Sequence, residues 1–171
     1  MSESPKKVTT ARCSCGGVEL QGIGAPIVSA ACYCDDCQSG ARQSGALLNS
    51  PPVQEPDGGT KYALYRKDRI NCSQGAQLLE GYKLTKESAT NRVVATCCNS
   101  GMYLSFDRGP HWLSLYRARL QGNIPPLQMR IQTTFKPENG NISGDVPSYS
   151  TFPVTFVAKL VASKIAMLLR R

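Results

Sequence analysis

Eight cysteines, grouped rather than scattered along 171 residues, constrain this chain more than any other feature. Cys13-Ser14-Cys15 is a C-x-C pair, Cys32-Tyr33-Cys34-Asp35-Asp36-Cys37 a C-x-C-x-x-C run, and Cys97-Cys98 a vicinal pair; Cys72 stands apart. Thiolates bind Zn²⁺ in a tetrahedron at about 2.3 Å. Alternate residues of an extended segment point the same way, so a C-x-C pair offers two sulfurs to one ion. The C-x-C-x-x-C run offers three sulfurs from one loop. Three protein ligands leave one position open, the usual mark of a catalytic zinc. Cys13 and Cys15, completed by Cys97 and Cys98 from a distant segment, make a four-ligand site that ties the start of the domain to a far strand. The Cys32/Cys34/Cys37 trio also suits an iron–sulfur cluster, a redox trio or a closed structural site. The vicinal pair fits two ligands or one ligand and one buried thiol. Cys72 is expected to be a small buried hydrophobe. His111, the only histidine, sits in a turn entering a strand and is expected to be structural or solvent-facing rather than a ligand.

The compartment bears on what cysteines do. The polar N-terminus carries Lys6 and Lys7 without the apolar run of a secretory signal. No apolar run is long enough to span a bilayer. A cytoplasmic protein with reduced thiols is the expectation, which favours metal over disulfides. The formal net charge is +8, and the residues after Pro110 hold eight Lys/Arg against Glu138 and Asp145 alone. That balance permits an anionic membrane, a nucleic acid or an acidic small molecule as partner. Aromatic residues are 7% and do not interleave with the basic ones, so no specific nucleic-acid partner is expected.

Short β-type runs recur at 17–21, 27–31, 62–65, 92–96, 102–106, 112–116 and 129–135, separated by Gly/Pro/Asp/Ser clusters such as Pro56-Asp57-Gly58-Gly59. A short helix fits between Cys37 and Leu48. This predicts a mainly β domain over residues 12–144, after a flexible N-terminus at 1–11. Residues 145–171 read as a linker and a basic amphipathic helix. In that helix Val154, Val157, Ala158, Val161, Ile165 and Leu168 recur at helical spacing, with Lys159, Ser163 and Arg170 opposite. Phe156, Leu160 and Met167 interrupt the polar side. Such a helix lies on a membrane surface, docks on its own domain or joins a second subunit.

Cys13-Ser14-Cys15-Gly16-Gly17-Val18, the C-x-C-x-x-C run and a late cysteine pair followed by Met102-Tyr103-Leu104 resemble the glutathione-dependent formaldehyde-activating enzyme family, which also includes centromere protein V-like proteins. The resemblance covers roughly residues 11–108. It implies an Mss4-like fold of small antiparallel sheets around zinc. It further implies a structural zinc on Cys13, Cys15 and the late cysteines, and a catalytic zinc on Cys32, Cys34 and Cys37. The activity it implies is condensation of formaldehyde with a thiol, glutathione in the family, or related carbon–sulfur lyase chemistry. This chain departs from the family in two places. The late C-x-x-C-G is replaced by Cys97-Cys98-Asn99-Ser100, with Cys98 the matched ligand and Cys97 the substitute. After the C-x-x-C the family commonly has a basic residue and a nearby small-residue-Gly pair, where this chain has Gln38-Ser39-Gly40-Ala41-Arg42-Gln43-Ser44-Gly45. Basic residues would help hold a substrate carboxylate, and Arg42 and Arg66 are nearby in sequence. The expected ligand is a small-molecule thiol or thiol adduct. The rival expectations are a zinc-stabilised binding module, using the tail helix for peripheral membrane binding or self-association, and a family member that has kept the fold without the chemistry.

Overall fold

A computed structural model of the chain describes residues 7–169. Residues 1–6 of the expected flexible segment, and Arg170 and Arg171 of the tail, lie outside them. Eleven strands and two helices follow in order: β1 (Val8–Arg12), β2 (Glu19–Ile23), β3 (Val28–Cys32), α1 (Asp35–Gly45), β4 (Thr60–Arg66), β5 (Ile70–Gln74), β6 (Leu79–Tyr82), β7 (Thr90–Ala95), β8 (Ser100–Phe106), β9 (Trp112–Tyr116), β10 (Leu120–Gln121), β11 (Met129–Ile131) and α2 (Val154–Leu168). They form a four-stranded antiparallel sheet, β10-β1-β2-β5, and a seven-stranded sheet, β11-β3-β4-β9-β8-β7-β6. The mainly β class is as expected. The second sheet is larger than the small antiparallel sheets anticipated and is mixed, because β11 pairs parallel to β3.

The large sheet is covered on both faces, and β4 shows how its sequence divides the core. Tyr62 and Leu64 point to one face, Ala63 and Tyr65 to the other, as a period-2 strand requires. The first face packs under α1 and α2 with Val28, Leu104, Ile131 and Phe156. The second packs against the small sheet with Ala11, Val18, Leu20 and Leu115. In β8 the alternation breaks. The β7–β8 register shifts between Val93 and Val94, so Met102 and Tyr103 both serve the second cluster while Leu104 serves the first.

Two expected boundaries do not hold. β1 begins at Val8 and pairs with β2 and β10, so the stretch expected to be flexible up to residue 11 becomes a central strand where it is described. The stretch expected to be a linker, 144–153, is docked beside β11. The Arg130 amide donates to the Pro147 carbonyl (2.8 Å) and the Tyr149 amide to the Arg130 carbonyl (2.9 Å), while the buried Arg130 side chain pairs with Asp145 (2.8 Å). The run read as one strand from Met129 to Phe135 stops at Ile131. Gln132 adopts φ +58° and the chain turns through a 3₁₀ segment at Thr133–Phe135.

α2 reverses the reading of its faces. Phe156 is buried and Leu160, Ser163 and Met167 are half-buried toward the domain, whereas Val154, Val157, Val161, Ile165 and Leu168 are exposed. The helix is apolar almost all round, and the bulkier aromatic side won the domain face. His111, buried at the start of β9, meets Ser163 through Nε2 (2.6 Å) and pins the helix down. No helix among the described residues is long and apolar enough to cross a membrane.

Candidate metal centres

The first thiol cluster forms where β1 turns into β2. Gly16, at φ +79°, allows a tight reversal that an L side chain would strain, and its amide donates to the Cys13 carbonyl (3.0 Å). The Val18 amide then donates to the Cys13 sulfur (3.1 Å) and orients it. The β7–β8 turn brings the other half. Asn99 adopts φ +53°, the Cys98 amide donates to the Ala95 carbonyl (3.2 Å), and Ser50 Oγ donates to the Asn99 carbonyl (2.8 Å). The sulfur separations are 3.6 Å for Cys13–Cys15, 3.8 Å for Cys13–Cys97, 3.3 Å for Cys15–Cys97 and 4.0 Å for Cys97–Cys98. Metal–sulfur bonds of about 2.3 Å in a tetrahedron require sulfurs about 3.8 Å apart. All four sulfurs lie within 4.8 Å of one another, so the quartet could hold one ion, with both members of the vicinal pair within reach. Ser100 is fully buried, within 3.1 Å of both Cys98 Sγ and Ser14 Oγ. Burial raises the Cys98 pKa, but the hydroxyls of Ser100 and Ser14 outweigh it and bring the thiol to about 5. Ser100 thus supports the cluster from outside the ligand set.

The second cluster sits where β3 meets α1. Cys32 ends the strand, Cys34 is the helix N-cap and Cys37 lies in the first turn, all three sulfurs within 4.8 Å of one another. Hydrogen bonds from the Cys32 and Cys37 thiols, with the backbone amides of Cys37 and Asp36, lower Cys34 to about 3. Amides at a helix N-terminus favour a thiolate in this way. Cys32 moves far upward and Cys37 up to about 12, because one thiolate among three is all the unmetallated site favours. Tyr62, buried beneath, donates its hydroxyl to Cys37 Sγ (3.5 Å). A divalent ion would replace the shared protons.

The two clusters differ in what surrounds them. The trio lines a cavity of about 460 Å³ on the helix-covered face of the large sheet, walled by residues including Leu104, Trp112, Ile131 and Phe156. Arg92 of β7 is also on this wall, 2% exposed, with Nη2 donating to the Asp36 carbonyl (2.6 Å). It lies across Gly40 of α1 so closely that a Cβ there would stand 1.9 Å from its Nε. Arg42 and Arg66 are not on the wall; Arg42 turns to Ser39 and Arg66 pairs with Asp68. The sequence signal for Arg92 was a lone cation inside an apolar strand. Cys72 is half-buried against the second core cluster, with its thiol on the Gln74 carbonyl (3.3 Å).

The chain is thus a β-rich protein with two thiol clusters that could hold metal ions, a C-x-C turn gathered with a late cysteine pair and a trio at a helix N-terminus. The sequence profile of the glutathione-dependent formaldehyde-activating enzymes matches residues 8–123, and the chain belongs to that family. Comparison with curated proteins finds no match. Among solved structures, a Rhodobacter sphaeroides protein is similar at 18% identity with a TM-score of 0.48, over 81% of this chain and 98% of that one.

Proposed function

We propose that the chain is a zinc-dependent carbon–sulfur lyase-type enzyme acting on the thiol adduct of formaldehyde or another small aldehyde. In this reading Cys13, Cys15, Cys97 and Cys98 hold a structural zinc, and Cys32, Cys34 and Cys37 hold a catalytic one. The observation that carries it is the contrast between the clusters. Four sulfurs close one site, while three sulfurs at the other face a cavity large enough for a small molecule. In the reaction a thiol sulfur adds to the aldehyde carbon and the thiol proton ends on the carbonyl oxygen; the reverse breaks that carbon–sulfur bond. Zinc on the trio supplies a Lewis acid and lowers the pKa of a bound thiol. The protein's own groups hold the trio in register, with α1 amides and Tyr62 fixing the sulfurs, and the apolar wall excludes bulk water.

Native mass spectrometry of the zinc-loaded protein, with formaldehyde–thiol exchange followed by NMR, tests this. Two zinc ions per chain are expected. Cys34→Ser should lose one ion and the exchange activity while keeping its circular dichroism; Cys13→Ser should lose the fold. A folded Cys34→Ser protein that retains activity sinks the assignment.

A second reading, a binding module on anionic lipid, is favoured by the exposed stripe Val154, Val157, Val161 and Ile165 with Lys164 beside it. It requires salt-sensitive binding to vesicles containing phosphatidylserine and none to neutral vesicles.

A further inference from the structure

The cavity over the trio is built from two parts of the chain. Its floor comes from residues inside the family match, and one wall comes from Phe152, Phe156, Val157 and Leu160, beyond residue 123. That wall is apolar, and it faces Leu104 and Trp112, which are apolar too. The charged side chains on the lining are Arg92 and Asp36. Asp36 is exposed at the rim in the first turn of α1. Arg92 is buried, and its Nη1 has no hydrogen-bond partner. A buried guanidinium with an unused donor costs free energy unless an anion completes it. The geometry keeps it there, because α1 carries glycine at position 40 where any side chain would displace it.

Glutathione suits this lining badly. It carries two carboxylates, an ammonium and two peptide groups, and an apolar cavity with one buried cation leaves most of them unpaired. We propose that the site takes the thiol adduct of an apolar molecule bearing a single carboxylate. The body packs on Trp112 and the α2 wall, and the carboxylate meets Arg92. The inference deepens the lyase reading and rests on the trio being the reaction centre.

Trp112 is the only tryptophan and lines the cavity, so its fluorescence reports occupancy directly. The full-length zinc-loaded protein is titrated with octanoate, octanol and glutathione. Octanoate lacks a thiol but its carboxylate can also ligate zinc, so the Arg92→Leu comparison separates the two contributions. A saturable change is expected, with octanoate binding about tenfold tighter than octanol, as one charge-assisted pair implies. Phe152→Ala should weaken both, and Arg92→Leu should bring their ratio to about one. If Arg92→Leu does not fold, Arg92→Gln makes the same comparison. Equal affinities for octanoate and octanol overturn the carboxylate assignment, and glutathione binding as tightly as octanoate overturns the substrate class. Carboxylate-selective binding without thiol–aldehyde exchange sinks the lyase reading alone. Exchange on the glutathione adduct without octanoate binding sinks this inference alone.

Discussion

Gly40 and Arg92 depend on one another. The guanidinium fills the space that any side chain at position 40 would take, and its anchor is the Asp36 carbonyl one turn earlier on the same helix. Gly40→Ala should therefore cost about 1–3 kcal/mol in a urea titration, through overpacking against a cation that has little room to move. An unchanged midpoint would show that Arg92 relocates freely. His111 makes a second prediction. Burial first, then the nearby charges of Lys164, Arg66 and Lys67, lower its pKa below the ordinary 6.5, with Asp68 opposing. The unfolded chain thus binds the proton more readily. Stability from neutral His111 is complete above about pH 6.5 and is lost as pH falls through that value toward the folded pKa. His111→Gln should flatten the pH dependence of melting between pH 5 and 7, on the order of one titrating group's share. A parallel slope in both proteins would exclude His111 as the source.

Among the elements, α2 separates packing from periodicity. Its sequence offers two apolar stripes, and helical spacing alone cannot say which meets the domain. The structure buries the side led by Phe156, which stacks on Phe152 at a ring-centroid distance of 5.4 Å, and leaves the valine-rich side outside. Phe156→Ala should cost about 3–5 kcal/mol, the range for a buried aromatic. Val161→Lys should stay within about 0.5 kcal/mol, since Val161 is exposed. Denaturant midpoints of the two variants give the comparison, and a reversed ranking would mean the helix docks by its other face. Trp112–Tyr116 was legible from sequence because its alternation is carried through in a two-faced sheet. β1, β5 and β6 went unread because Thr9, Asn71 and Glu80 give no clean apolar alternation. They are strands because neighbours supply hydrogen-bond partners, not because of their own propensity.

For the whole molecule, the four-cysteine cluster would be a staple once it held an ion. It joins the turn after β1, in the small sheet, to the β7–β8 turn of the large one, across the second core cluster. Removing a structural metal returns its binding free energy to the unfolded state. Stripping the protein with a strong chelator should lower its melting temperature by well over the roughly 4 °C that 1 kcal/mol represents at this size. Restored zinc should recover it, whereas Cys13→Ser, which loses the fold, should show no cooperative melting with or without zinc. A melting curve indifferent to chelator would remove the staple. The sequence by itself determined the inventory of candidate ligands, because cysteine spacing in short turns is a local property: both cysteine clusters and the mainly β class were legible there. It also determined that a tail helix exists. Only the tertiary structure decided that Cys97 and Cys98 both reach the quartet, that Ser100 supports it, and that Arg92 and the inner side of α2 wall the cavity over the trio. Those facts depend on which segments meet after β7 pairs with β8 and α2 folds back. Such long-range contacts are set by burial of whole faces, and no local pattern records them.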